Sequence, residues 1–375
     1  MKELGLESVL QAKWRMLRVL ARTEYRHLAS HKWKPYSRLF MAGDDAGWSL
    51  SWDSTELLDI VRGLGLSAIT SVDFRRWKNQ CAFLVSRYFL LNDDWLTWRN
   101  RLAFPYYHGL PGSGVKEFDR CYEALRAHHD RIARVQVTHQ AMREVLLSSG
   151  IDPAKVFLIR IGVNLDFFRF CDDAMRRNAR RTLNLPESAF VVGSFVKDGE
   201  GWGEGDRPKR IKGPDVLVDS LRRVRLQVPE LHVLLSGPAR GYVKERLQTM
   251  GIPFRHVALR HYPDIARLYH ASDVCLVTSR QEGGPKAILE AMATGTPIVS
   301  TRVGQATELI QHGVNGWLAD VEDTDLASHV VAVRETGQQL DTVRREGRRT
   351  AEANSYANQL PQWKEFFDGF VVGPS

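Results

Sequence analysis

From residue 190 onward, short apolar runs alternate with amphipathic stretches, and this alternation constrains the fold of the 375-residue chain more than any other feature. Residues 190–196, 232–236, 254–259, 273–279, 297–301 and 317–319 read as strands, and 214–227, 243–250, 263–270, 285–293 and 306–311 as the helices between them. Continuously apolar strands, each followed by a helix, predict a parallel sheet covered on both faces. A doubly wound sheet of this kind binds ligands at the carboxyl ends of its strands. Upstream, residues 38–42, 68–72, 81–86, 102–108 and 133–138 are strand-like with helical stretches between them, while 77–98 is aromatic throughout and has no clear period. At roughly 100–200 residues per domain, the length fits two such units.

Composition narrows the class. With 43% hydrophobic and 26% charged residues, each half can bury its own core. No run reaches about 18 apolar residues, so no membrane span is predicted. The charged start of the chain lacks the apolar core of a secretory signal. Cys81, Cys121, Cys171 and Cys275 are widely spaced, which argues against a zinc site or disulfide framework and fits a reducing cytoplasm.

The net charge of +8 is concentrated, because residues 1–38 hold nine Lys and Arg against three Glu. Residues 7–30 predict a helix with Leu10, Trp14, Leu17, Ala21, Tyr25 and Leu28 on one stripe. Arg15, Arg18, Arg22 and Arg26 lie on the next stripe. Such a helix either lies on an anionic membrane surface or packs on its own domain with solvated arginines. A basic patch without a reading motif does not make a nucleic-acid binder. A dehydrogenase needs a glycine-rich fingerprint after its first strand, and Gly43–Gly47 is not one.

The chemistry concentrates in Glu282-Gly283-Gly284-Pro285-Lys286-Ala287-Ile288-Leu289-Glu290. Pro285 suits the first position of a helix, with Gly284 as its cap. The free N–H groups of Lys286 and Ala287 would then face the cleft, where a helix start attracts phosphate. The two glycines allow close approach to the backbone. Gly295 would close the helix, with Pro297 beyond it. Glu290, about one and a half turns in, can accept two hydrogen bonds from a vicinal diol such as ribose. By spacing alone, Glu282 and Glu290 read equally well as solvated acids. Residues 199–213 form a polar insertion with Gly201, Gly203 and Gly205, and a loop this long is usually functional or mobile.

This segment resembles the E-x7-E motif of family 4 retaining glycosyltransferases, E-G-x-P-x-x-x-x-E-A-M-A-x-G-x-P, at nearly every fixed position. Residues 269–274, 303–310 and 313–318 resemble the family's L-Y-x-x-A-D, V-G-G-x-x-E-L-I and G-x-N-G-x-L, and 159–168 resembles I-P-x-G-V-D-x-x-x-F. The resemblance covers roughly residues 155–355. It implies a GT-B fold: two Rossmann-like α/β domains with doubly wound parallel sheets and a cleft between them. The acceptor-side domain would span 1–165 and the nucleotide-sugar-binding domain 166–355, with a helix at 356–375 packing back on the first.

The resemblance also implies roles. Lys212, of the Lys212-Gly213 pair, and Lys197 would hold the donor diphosphate. Lys197 stands where the family has an Arg, a point charge in place of a planar fork, and Arg207, Lys209 or Arg210 of the insertion could supply that fork. Glu290 would bind the ribose and Glu282 the donor sugar. Gly283, Gly284, Pro285, Lys286 and Ala287 would contact sugar and phosphate, and the stretch 259–261, with Arg260, the base. His108 matches the His of an H-G pair that faces the sugar. Gln305 replaces the second Gly of V-G-G. Gly47 lies in the first loop, where Asp44 and Asp45 would repel a diphosphate and could instead hold a polyol acceptor.

The implied activity is retaining transfer from a UDP- or GDP-sugar to a glycan, lipid-linked or small-molecule acceptor, without a metal or other cofactor, in the cytoplasm or at the inner membrane face. A non-transferring GT-B enzyme such as an epimerase, or a nucleotide-sugar-binding module, are the alternatives.

Overall fold

The computed structural model describes residues 33–42, 49–71, 74–201, 203–321 and 325–372. The basic stretch 7–30 and the loop 43–48, with Gly47, lie outside them.

Alternating burial explains the first sheet. Phe40, Ala82, Leu84, Leu102 and Phe104 face one core, while Leu39, Met41, Cys81, Phe83 and Ala103 face the other. The strands are β1 (Leu39–Ala42), β2 (Ala68–Thr70), β3 (Cys81–Leu84), β4 (Arg101–Pro105), β5 (Ile132–Val137) and β6 (Val156–Leu158). Their order is β2-β1-β3-β4-β5-β6, and every pairing is parallel. Helices α1 (Ser49–Gly63), α2 (Lys116–His128) and α3 (Gln140–Ser148) belong to this half. The aromatic stretch that lacked a period folds as short 3-10 turns, Arg87–Leu91 and Asp93–Thr97 among them. Trp77, Leu90 and Trp95 reach the core from there.

The second sheet follows the same rule, with Val191, Leu234, Cys275 and Ile298 on one face and Val192, Val233, Leu235, Leu276 and Val299 on the other. After helix α4 (Asp173–Thr182) come β7 (Phe190–Phe195), α5 (Pro214–Gln227), β8 (Leu231–Ser236), α6 (Gly241–Thr249) and β9 (Phe254–Val257). Then follow α7 (Ala266–Ala271), β10 (Val274–Val277), α8 (Lys286–Thr294), β11 (Ile298–Thr301), α9 (Ala306–Leu309) and β12 (Trp317–Ala319). The order β12-β11-β10-β7-β8-β9, all parallel, reverses direction between β7 and β10. A ligand crevice opens at such a switch point.

After α10 (Asp325–Glu335) and α11 (Gln339–Ala353), helix α12 (Leu360–Phe367) returns to the first sheet. Its Trp363, Phe366 and Phe367, with Phe370 beyond, share a core with Leu39, Met41 and Phe83. The insertion after β7 is an ordered hairpin rather than an open loop, since Gly199 bridges Pro208 in antiparallel fashion. Its far side accepts from the start of α6, at the Glu204 carbonyl from Gly241 N (2.6 Å) and at the Glu204 carboxylate from Lys244 Nζ (3.1 Å).

Candidate functional site

A cavity of about 480 Å³ lies between the two sheets. The second domain lines it with residues just beyond β7 and β10 and with the start of α8. The first domain contributes residues beyond β3 and β4, together with Asp53 of α1.

Lys212 reaches this cavity because of the residue after it. Gly213 adopts φ +63°, and a Cβ there would lie 1.9 Å from the Thr278 carbonyl oxygen at the end of β10. Only glycine fits that left-handed, close-packed position. The turn therefore presses against the strand end, and Thr278 Oγ1 donates to the Gly213 carbonyl at 3.0 Å. Lys212 Nζ donates to Glu282 Oε1. Ser279 Oγ donates to the same oxygen at 3.3 Å, and His108 Nδ1 stands 3.5 Å from Oε2. Burial pushes the Glu282 carboxyl upward, but the charge and hydrogen bond of Lys212, with the Ser279 hydroxyl, hold the pKa below the ordinary value. Glu282 is thus a buried, ionised carboxylate.

His108 follows the end of β4, edge-on to the Phe118 ring at 6.0 Å. Its pKa is depressed to about 3, first by burial and then by the charge of Lys212, with Glu282 pulling the other way. A neutral imidazole near a reacting centre can donate or accept a hydrogen bond without adding charge.

At the other end of the cavity, Glu290 is buried and accepts from Tyr262 (2.7 Å) and Tyr269 (2.8 Å), one phenol per oxygen. Burial raises its pKa, opposed by Lys286 and the two phenols. A carboxylate has about four lone-pair sites, so two remain for another diol. Three lysines line the space between these ends: Lys197 at the end of β7, Lys209 at the end of the hairpin, and Lys212. Burial lowers the pKa of Lys209, helped by Lys212 and Lys197, which reports how closely the three cations are gathered.

Several expected positions come out differently. Helix α8 starts at Lys286 with Pro285 as its cap, one residue later than the proline pattern predicts, because Pro285 has extended ψ (108°). Gly295 does close it, at φ +70°. Lys286 lines the cavity, but its ammonium is already engaged there. It pairs with Asp53 of the first domain and lies 4.9 Å from the Tyr262 ring centroid. Gly283 is taken up by the domain contact: a Cβ would sit 1.9 Å from the Tyr107 carbonyl oxygen. Its own carbonyl accepts from Thr138 Oγ1 (2.8 Å) and Gln305 N (2.9 Å). Gly284, Pro285 and Ala287 line the cavity.

Gln305 is fully buried and lies outside the cavity lining. Its Oε1 accepts from Ile161 N at 3.0 Å and so ties the interdomain segment to the α8 turn. Arg207 and Arg260 are exposed and outside the cavity wall, and Arg210 pairs with Asp215 at 3.0 Å. Of Arg207, Lys209 and Arg210, Lys209 is the one that lines the cavity. Sequence reasoning missed Asp53, Arg87, Tyr107 and Tyr262, which all line the cavity. Only Tyr262 had a signal, being next to the stretch assigned to the base.

Comparison with solved structures matches this architecture. Anabaena HepE, solved with UDP-glucose, superposes with a TM-score of 0.70 at 18% identity, over 88% of this chain and 99% of that one. Sucrose-phosphate synthase from Thermosynechococcus elongatus gives 0.62 at 20% identity, over 77% and 73%. The fold is GT-B. Within its second domain, residues 204–335 match the family model described as Glycosyl transferases group 1. The D-inositol 3-phosphate glycosyltransferase of Geodermatophilus obscurus is 30% identical over 263 residues, 67% of this chain and 53% of that protein. The protein of the same name from Corynebacterium urealyticum is 31% identical over 181 residues, 45% and 40%. The chain thus spans about half the length of these curated relatives.

Among the described residues of this GT-B chain, no helix is long and apolar enough to cross a membrane.

Proposed function

We propose that this protein is a retaining, family 4-type glycosyltransferase that uses a UDP- or GDP-sugar. The carrying observation is a single cavity with the Lys212–Glu282–His108 cluster at one end and Glu290 at the other. The matched family model, the E-x7-E spacing and UDP-glucose in the HepE structure support the same reading.

Glu290 takes the ribose diol through its remaining lone pairs. Lys197, Lys209 and Lys212 meet the diphosphate, together with the N–H groups at the start of α8. Glu282 orients the donor sugar, and neutral His108 hydrogen-bonds it from the first domain. The site's main work is to stabilise charge on the departing nucleoside diphosphate. As the glycosidic bond to phosphate breaks, the leaving phosphate oxygen takes the acceptor's hydroxyl proton, and the acceptor oxygen bonds to the anomeric carbon on the same face. The basic stretch 7–30 supports a location at an anionic membrane surface. Vesicle sedimentation of wild type against a variant lacking Arg15, Arg18, Arg22 and Arg26 tests that part.

The central test is a thermal-shift and calorimetry panel of nucleotides and nucleotide sugars on wild type and Glu290→Ala. A ligand well above its dissociation constant raises the melting temperature. One nucleoside diphosphate should stabilise wild type and bind the variant at least about tenfold more weakly. No binding by any nucleotide would sink the transferase reading.

A further inference from the structure

Among the described residues, three arginines are almost fully buried: Arg87 (3% exposed), Arg180 (5%) and Arg240 (1%). Arg180 pairs with Asp273 at 2.5 Å and Arg240 with Asp198 at 3.0 Å. Arg87 makes no ion pair with any described carboxylate, and its Nε and Nη2 have no hydrogen-bond partner among the described residues. Its Nη1 donates to the Gly109 carbonyl at 3.1 Å, and the Tyr88 and Tyr106 phenols lie within its reach. The guanidinium otherwise rests against the rings of Tyr106 (4.6 Å) and Phe118 (4.7 Å).

A guanidinium cannot shed its proton to escape this setting. Burying an unpaired charge is costly, and ring faces return only part of the loss. An anion arriving with a ligand would complete this setting, and Arg87 stands in the cavity wall where one would bind.

Which ligand is decided by the side of the cavity. Lys197, Lys209 and Lys212 gather on the second-domain wall and already answer a diphosphate. Arg87 lies on the first-domain wall, beside Ser86, Tyr88 and His108. Tyr88 is 41% exposed and offers an aromatic face to a sugar or polyol ring. We propose that Arg87, with Ser86 and Tyr88, forms a subsite for an anionic group, a phosphate or carboxylate, carried by the acceptor. This rests on the transferase reading and deepens it by naming the acceptor class.

The test uses the whole chain and two titrations. The nucleoside diphosphate found in the panel, UDP or GDP, is first titrated into wild type and Arg87→Gln. Inorganic phosphate is then titrated by calorimetry into each protein saturated with that nucleotide, so that the donor-side lysines are occupied. The expected result is equal nucleotide affinity, phosphate binding to saturated wild type, and at least about tenfold weaker phosphate binding to the variant, the loss of a charge-assisted bond. Phosphate binding to both proteins alike would overturn the subsite. So would loss of nucleotide affinity in the variant, which would put Arg87 on the donor. Saturated wild type that takes no phosphate overturns it too, and this needs no variant to fold. Failure of the transferase reading looks different: wild type would bind no nucleotide at the first step.

Discussion

Lys212 and Glu282 show how strongly single residues can be coupled here. Their side chains are 13% and 10% exposed, so removing one partner strands a buried charge. Lys212→Met should cost about 3 kcal/mol of stability. Adding Glu282→Gln to it should recover much of that loss without restoring transfer. Urea unfolding of the two single variants and the double variant measures this coupling as a cycle. His108 has its own signature. Unfolded, it takes a proton near its ordinary pKa of 6.5, whereas folded it stays neutral down to about 3. Between those values the unfolded state holds more protons, so stability falls as pH falls below 6.5. Glu282, whose pKa is lowered on folding, acts in the same direction below its ordinary 4.5. His108→Gln should flatten the loss between about pH 6.5 and 5, read from melting temperatures in a buffer series; an unchanged slope would exclude His108 as its source. Glu282 and Glu290 were legible through the spacing of one motif, and Lys197, Lys212 and His108 through separate short family features; all five line the cavity. Asp53 could not, since its partner Lys286 is 233 residues away and no local pattern encodes that meeting. Gln305 and Arg260 lie outside the cavity lining: a motif fixes a position along the chain, but not where a particular side chain ends up.

Among elements, those buried on both faces were legible. Most strands of the second sheet are apolar runs separated by helices with a clear period, although β9 is only partly buried. The first half was read less well because 3-10 turns hold its aromatic residues and no helical or strand period survives there. The hairpin after β7 looked like a loop because its order comes from backbone bonds to the start of α6 rather than from apolar side chains. Helix α12 shows what a late element adds to an early core. Trp363 is 3% exposed, stacks on Phe367 at 5.8 Å and meets Phe83 edge-on at 6.3 Å. Trp363→Ala should cost about 3–5 kcal/mol. The loss belongs to the first domain, so hydrogen exchange should accelerate in β1 and β3 before β7 and β10. Uniform acceleration across both sheets would mean that the two domains unfold as one unit.

For the molecule as a whole, the question is what holds the two domains at their present separation. Asp53 of α1 accepts from Lys286, at the start of α8, and from the Tyr356 hydroxyl at 3.1 Å. Beside them, Trp52 stacks on Tyr262 at 5.9 Å. Tyr262 also donates to Glu290, so the interdomain contact and the proposed ribose site share a residue. With side chains 12% and 24% exposed, the Lys286–Asp53 pair is partly shielded from salt, and losing one partner leaves the other charge only half solvated. Asp53→Asn keeps the shape and a hydrogen bond but removes the charge. The variant should shift the nucleotide-free protein toward an open arrangement, seen as a larger radius of gyration in small-angle scattering. Saturating nucleotide should draw it back, because a ligand that contacts both walls binds the closed form better. The coupling has a second reading in affinity. Part of the binding energy must then close the domains, so nucleotide affinity should fall by about three- to tenfold, even though Asp53 would not touch the diphosphate. An unchanged radius together with unchanged affinity would assign domain closure to the Gly283–Tyr107 packing and the Trp52–Tyr262 stack instead.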